Sequence, residues 1–488
     1  MTKLSSPNML LPTVFVCGFV VMAFEIIGSR VLAPFMGTST YVWVSIIGVI
    51  LLAMSLGYSF GGSRADRNAN QHEIGRFMLL AALCIGLMNL GKNQFLTLLG
   101  SVHLPLLVKS TSASFILFGL PSFFLAAVFP YALRLALTSV TESGKLAGRF
   151  YATSTLGSIL GTFLSATVLI PTFGTTHILW ILAALLIAFS IWNGALQKQK
   201  TVTIIALLVL ASNIAFSFYP RPYLDFDSHY NRIWILDAIA QGRPTRYLSL
   251  NGHVNSGMWV DDPIVAQLYP YSDYFRLADH FHPNFERTLM LGAGAYTFPK
   301  LYQHLWPNRD LDVVEIDPKL TELSMAFFNF NPRENTQIFH EDARTFLSST
   351  DQTYDVIISD VFTSPLEVPF QMTTTECYQL HYNHLSENGV LILNVLGNAE
   401  GDHSAFLKSQ VRTAASVFDR VLVFEVEDGT KSHMKNNMVV ALKSAYEPSF
   451  TNSDSTIQNM LDQLRSVDFE NARLLTDDFA PANWLLRE

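Results

Sequence analysis

The first 220 residues hold about seven apolar runs in series, at 10–34, 41–62, 76–98, 112–133, 148–170, 175–196 and 201–219. Each approaches the roughly 20 residues that a helix needs to cross a bilayer. A soluble core can conceal one such helix but not so many in succession, so the chain is predicted to begin as a multi-span α-helical membrane domain. The first run does not read as a cleaved signal: it is long, carries only Lys3 on its amino flank and is followed directly by further spans. Charged residues make up 15% of the chain, against about 25% in soluble domains. The deficit lies before Pro220-Arg221-Pro222, a stiff linker after which the composition turns soluble. The predicted domains are 1–220, helical and membrane-spanning; 221–285, a small β-sheet; and 286–488, an α/β Rossmann-like region.

Inside the predicted membrane region, Glu25 and Arg30 fall within or at the edge of the first span. Charges at such depth face a bundle interior or snorkel to the interface, and a structural role is the reading adopted for this pair. Gly157 and Gly161 form a small face suited to helix packing. Pro121 and Pro130 are expected to kink or end their helix. No strong internal repeat appears, so a transporter built from two matching halves is not expected. Basic residues gather after the second span (Arg64, Arg67, Arg76), the fourth (Arg134, Lys145, Arg149) and the sixth (Lys198, Lys200). Other short loops hold little beyond Lys92 and Lys109. This places the amino terminus inside. Seven full crossings would then leave the second half outside, unless one run does not cross fully or the 93–109 region adds a crossing. Incomplete crossing is the least strained solution, and gives a multi-pass cell-membrane protein with a cytoplasmic second half.

The second half changes period. Arg232–Leu236, Arg246–Leu250 and Met258–Val260 read as a small antiparallel sheet, with a turn over Asn251–Asn255 and a helical stretch at 264–280. Then strands alternate with helices: Thr288–Leu291, Leu311–Ile316, Gln337–Phe339, Val356–Ile358 and Gly389–Asn394, with late strands at Val421–Val426 and Met438–Leu442. That alternation predicts a parallel, doubly wound sheet, whose ligands sit beyond the carboxyl ends of the strands. The polar residues gather at those ends. Gly292-Ala293-Gly294 frees the backbone to turn sharply and approach a ligand. Glu315 is placed to accept hydrogen bonds from ribose hydroxyls. Asp342, followed by Ala343, is placed to face an adenine amino group, and Asp360 closes the fourth strand. The bland alternative is a sheet whose acids only cap helices.

Other classes are disfavoured. Cys17 and Cys84 lie in predicted spans and Cys377 stands alone, so no disulfide framework exists. The thirteen histidines show no ligand spacing, and no metal is expected. A net charge of −8 argues against nucleic acid as a partner.

Several stretches resemble the spermidine synthases, the polyamine aminopropyltransferases. They are Ser228-His229-Tyr230-Asn231-Arg232-Ile233, Arg246-Tyr247-Leu248 with Asn251-Gly252, Val314-Glu315-Ile316-Asp317-Pro318 and Tyr354-Asp355-Val356-Ile357-Ile358-Ser359-Asp360. Glu25-Ile26-Ile27-Gly28-Ser29-Arg30-Val31-Leu32-Ala33-Pro34, Asp360-Val361-Phe362-Thr363 with Pro369 and Thr373-Thr374, and Leu475-Thr476-Asp477-Asp478-Phe479-Ala480-Pro481 resemble the membrane-fused branch of that family. The resemblance spans nearly the whole chain. It implies an S-adenosylmethionine-dependent transferase fold behind a small amino-terminal sheet, and aminopropyl transfer from decarboxylated S-adenosylmethionine to an amine.

Residue by residue, the resemblance makes Asp360 the first aspartate of the active-site loop, Glu315 and Asp342 the nucleoside-binding acids, and Tyr271 the tyrosine of the amine pocket. Departures concentrate on the amine side. Thr363 stands where soluble relatives keep a second aspartate, Ala295 where the glycine turn has an aspartate, Asn255 where an early glutamine stands, and Ser272 where a histidine follows the tyrosine. Glu367 and Glu376 are candidate replacements for the missing charge. The expected partners are a small-molecule amine and membrane lipid, with a homodimer as the candidate assembly. Two other readings stay open: a methyltransferase using uncleaved S-adenosylmethionine, and a membrane transporter or sensor with a non-catalytic synthase-like domain.

Overall fold

The computed structural model describes residues 7–37, 39–67, 69–100, 102, 104–137, 143–218, 223–361, 368–427, 434–444 and 447–486. Two compact units result. One comprises residues up to Pro222 with Phe226–Arg232, and the other Tyr223–Asp225 with Ile233–Glu488.

In the first unit, seven helices among the described residues are long and apolar enough to cross a membrane. They are Met9–Met36, Thr40–Arg67, Gln71–Gly100, Leu106–Ala136, Ser143–Thr172, Thr175–Trp192 and Lys200–Ser217. The first and fifth pack backbone to backbone. A Cβ on Gly157 would lie 2.1 Å from the Phe15 carbonyl oxygen, and one on Gly161 2.3 Å from that of Phe19, so only glycine permits this approach. Neither Pro121 nor Pro130 ends its helix. Instead, Phe115–Gly119 widens into a π-helical turn just before Pro121, and Ser165–Leu169 does so before Pro171, re-routing the bond that a proline nitrogen cannot make. Arg30 donates from Nη2 to the His229 carbonyl oxygen, a structural partner for its charge. Lys92 is not a loop residue: it is buried in the third span, where Asn89 and Thr176 accept from its ammonium.

A four-stranded sheet follows the helices, β1 (Leu224–Asp227), β2 (Arg232–Ala240), β3 (Arg243–Leu250) and β4 (His253–Trp259), paired in chain order, with β2, β3 and β4 antiparallel. The strands are longer and the turns tighter than the sequence suggested. Gln241-Gly242 and Asn251-Gly252 all take positive φ, the two-residue hairpin geometry that matches strand twist. His253, Val254 and Asn255 therefore belong to β4 rather than to a turn. The predicted helix at 264–280 is also corrected. Residues 261–269 are irregular, and helix begins only with a 3-10 segment, Pro270–Arg276, continued by Leu277–Phe281. Pro263 and Pro270 disfavour helix in the residue before each.

Eight strands follow in one sheet: β5 (Arg287–Leu291), β6 (Asp310–Val314), β7 (Thr336–Phe339), β8 (Tyr354–Ser359), β9 (Leu385–Gly397), β10 (Arg420–Glu425), β11 (Lys435–Leu442) and β12 (Leu464–Arg465). Their order is β12-β10-β11-β9-β8-β5-β6-β7. From β7 to β9 the pairing is parallel, as predicted; β11 pairs antiparallel with both β9 and β10, and β12 antiparallel with β10. Successive strand residues feed opposite cores. Met290, Val356, Ile358 and Ile392 pack with Phe275, Phe298 and Tyr302 on one face. Leu289, Leu291, Ile357 and Leu393 pack with Phe346, Leu347 and Tyr378 on the other. That is why these strands read as continuous apolar runs. A fragment from Tyr223 to Glu488 is expected to fold alone, since it carries two such cores; a single cooperative thermal transition of the isolated fragment checks this.

Candidate active site

The sheet register brings the site together. Leu291 lies opposite Val314 on β6 and Ser359 on β8, and Ser359 lies opposite Leu393 on β9. One residue further along each strand stand Gly292, Glu315, Asp360 and Asn394. They form a single row at the carboxyl end of the parallel strands, where ligands of such sheets bind.

Gly292 has φ +80°, and a Cβ there would lie 2.3 Å from the Asp360 carbonyl oxygen. Gly294 has φ +54°, and its Cβ would meet Ser256 Oγ at 2.6 Å. Gly292 thus demands glycine by backbone conformation and by space, and Gly294 by backbone conformation. Gly292→Ala is expected to destabilise the second unit by about 1–3 kcal/mol from the left-handed backbone alone, with the overlap adding to it; a lowered denaturation midpoint at unchanged m-value checks this.

Glu315 spans the two turns. Its Oε2 accepts from Ala293 N and its Oε1 from Asp317 N, each at 3.0 Å. Burial pushes its carboxyl up to about 7 despite those backbone donors. Asp342 caps the helix Ala343–Ser349 through Oδ1, which accepts from Arg344 N and Thr345 N. It therefore fills the bland capping role while standing at the end of β7, and Ala343 is the first residue of its helix.

Asp360 sits at the centre of a small polar network. Its Oδ1 accepts from Asn394 Nδ2 at 3.1 Å, and its carboxylate also accepts from the Tyr271 hydroxyl. Burial raises the Asp360 carboxyl above the ordinary carboxylate range, and those two donors oppose the shift. The Tyr271 hydroxyl stands well above its usual value, through burial and then the Asp360 charge. Both residues keep some contact with solvent. Asn394 escaped the sequence reading; its only signal was a polar residue within the apolar run of β9. It is 6% exposed, and its Oδ1 has no partner among the described residues.

Other predicted residues are placed differently. Asn255 Oδ1 accepts from Leu250 N across the front hairpin. Ser272 turns inward, donating to Gln267 Oε1 and to the Tyr269 carbonyl. Ala295 is fully buried. Glu376 is exposed in the first turn of helix Thr375–His384 and accepts from Asp477 N. Thr363 and Glu367 lie outside the described residues. Among the described residues, no three His, Cys, Asp or Glu side chains gather as metal ligands.

Residues 276–426 match the spermine/spermidine synthase domain. The polyamine aminopropyltransferase of Vibrio vulnificus is 30% identical over 242 residues, which cover 46% of this chain and 78% of that protein. The chain belongs to the polyamine aminopropyltransferase family. A second aminopropyltransferase relative, a "probable polyamine aminopropyl transferase" of Bifidobacterium longum, is 30% identical over 165 residues, covering 33% of each chain. The crystal structure of a "probable spermidine synthase" from Corynebacterium glutamicum is similar over 54% of this chain and 99% of its own, with 20% identity and a TM-score of 0.44. As a member of this family, the chain is a transferase of the aminopropyltransferase type.

Proposed function

We propose that the protein is a membrane-bound aminopropyltransferase that moves the aminopropyl group of decarboxylated S-adenosylmethionine to an amine, with Asp360 as the catalytic carboxylate. The observation that carries this reading is the row at the carboxyl end of the sheet: a glycine turn and a buried acid suited to a nucleoside, beside a carboxylate held by Tyr271 and Asn394. The ribose hydroxyls donate to Glu315, the adenine amino group to Asp342, and the glycine turn with Ala343 supplies close-packed backbone. The acceptor nitrogen attacks the methylene attached to the sulfonium. A nitrogen–carbon bond forms, the carbon–sulfur bond breaks, and its electron pair stays on sulfur, leaving the neutral thioether 5′-methylthioadenosine. The nitrogen's extra proton passes to Asp360, directly or through water.

A carboxylate whose proton affinity is raised by burial suits that role, because amines are mostly protonated near neutral pH and must be deprotonated to react. Tyr271 and Asn394 hold Asp360 in place by donating to it. Tyr271 is the proposed amine-side residue, and Asn255, Thr363 and Glu367 are proposed for the acceptor on sequence resemblance alone. The seven apolar helices support a multi-pass membrane protein; the second unit is placed in the cytoplasm because the nucleoside substrate would be met there, which requires that one helix not cross fully, and a homodimer is the proposed assembly.

The test is mass spectrometry of products from purified protein given decarboxylated S-adenosylmethionine, uncleaved S-adenosylmethionine and an amine mixture. The expected products are 5′-methylthioadenosine and an amine heavier by one aminopropyl group. A methylated product with S-adenosylhomocysteine overturns the reading, as does the absence of any product.

A further inference from the structure

The Leu475–Pro481 stretch has a place in the site that its sequence did not reveal. Its Asp477 is an acceptor between two donors. Thr374 Oγ1 donates to Asp477 Oδ1 at 2.6 Å, and Arg344 Nη2 donates to Oδ2 at 2.8 Å. Arg344 lies two residues beyond Asp342, in the first turn of the helix that Asp342 caps. Thr374 is fully buried and caps the helix Thr375–His384, receiving Cys377 N. Arg344 also reaches the Gln371 carbonyl oxygen at 3.2 Å. The same carboxy-terminal segment touches the chain that returns from Asp360 at two more points: Thr375 N donates to the Leu475 carbonyl oxygen at 2.9 Å, and Val368 N to Asn483 Oδ1 at 3.0 Å.

We propose that Asp477 is a positioning residue for the transfer site, locking the turn that presents Asp342 to the chain that returns from Asp360. The inference rests on the reading of those two aspartates as the nucleoside and transfer acids. Its chemistry follows from the donors. An ionised carboxylate accepts at both oxygens, whereas an amide that keeps Arg344 turns its NH2 toward Thr374 Oγ1, which already accepts from Cys377 N and Arg344 Nη1. A covalent change of a single atom therefore breaks the lock without removing volume.

The experiment compares Asp477→Asn with Asp478→Asn, a control on the next residue, which is exposed as Asp477 is, in the full-length protein. Hydrogen exchange read by mass spectrometry is expected to rise in Asp477→Asn at 343–349 and 368–376, and to stay unchanged in strands β5 and β6. KM for decarboxylated S-adenosylmethionine is expected to rise about fivefold, the upper range for an ion pair whose carboxylate is half open to water, while kcat stays within about twofold. Thr374→Ser, which keeps the hydroxyl, should behave as wild type in both. Exchange in Asp477→Asn that matches wild type overturns the lock. Raised exchange with unchanged KM, or with kcat and thermal midpoint falling together, overturns the positioning role and leaves a structural one. Should the wild-type protein fail to bind any nucleoside, the functional reading fails and the positioning role falls with it, while the exchange pattern still decides the lock.

Discussion

Replacing Asp360 with Asn is expected to abolish aminopropyl transfer while leaving the second unit folded and nucleoside binding nearly intact. Loss of a positioned base costs roughly 10²–10⁴ in rate. The amide fills the same space between Tyr271 and Asn394, but turns a donor toward one of two groups that already donate, and it cannot take a proton from the amine. The wild-type rate should also fall as pH drops through the raised Asp360 value, because the protonated acid is no longer a base. Any residual rate in Asp360→Asn should lack that acidic limb. Steady-state product formation across pH, alongside a binding isotherm for 5′-methylthioadenosine, checks both statements. Full turnover in the variant would reduce Asp360 to a turn residue. A related substitution addresses the acceptor: Thr363→Asp is expected to raise transfer to putrescine, whose distal ammonium needs an anionic partner to be buried.

Glu315 should make nucleoside binding pH-dependent in the opposite sense to stability. Its carboxyl stands at about 7 in the folded chain without ligand, above the roughly 4.3 of an exposed glutamate. Ribose hydroxyls donate to the ionised form, so affinity should strengthen as pH rises through 7 and weaken by up to about tenfold per unit below it. Folding shows the reverse sign. The contribution is fully present below the unfolded value and is lost as pH rises through the folded one, because ionising a buried acid then works against the fold. Glu315→Ala is expected to remove the pH dependence and cost on the order of 2–3 kcal/mol of nucleoside binding, as for lost bonds to a charged group. Calorimetry of 5′-methylthioadenosine binding at several pH values, with thermal denaturation in parallel, separates the two slopes.

The parallel half of the sheet was legible because strands covered on both faces leave continuous apolar runs, and glycines or acids mark where each run stops. The site row followed from those stops: Gly292, Glu315 and Asp360 are adjacent because their strands end in register. Asn394 was hidden because β9 runs three residues past the row, so its side chain fell inside a strand instead of after it. Asp477 was hidden for another reason. Its partners Thr374 and Arg344 are 103 and 133 positions away, beyond the reach of any local pattern. The irregular 261–269 segment was misread because its apolar residues fit a helical period while its prolines do not. The antiparallel return of β10 to β12 leaves no signature in composition, since direction depends on how the connections run.

The borders of the eight-stranded sheet bear on how copies of this enzyme can meet. One outer strand, β7, has four residues, and the other, β12, has two. A border that short offers few free backbone donors and acceptors, which blunts edge-to-edge pairing. Extending the large sheet is thus a poor route to recruiting a second copy. A dimer that leaves this sheet unextended is built from side chains meeting across faces, and its strength follows the chemistry of those faces rather than the backbone.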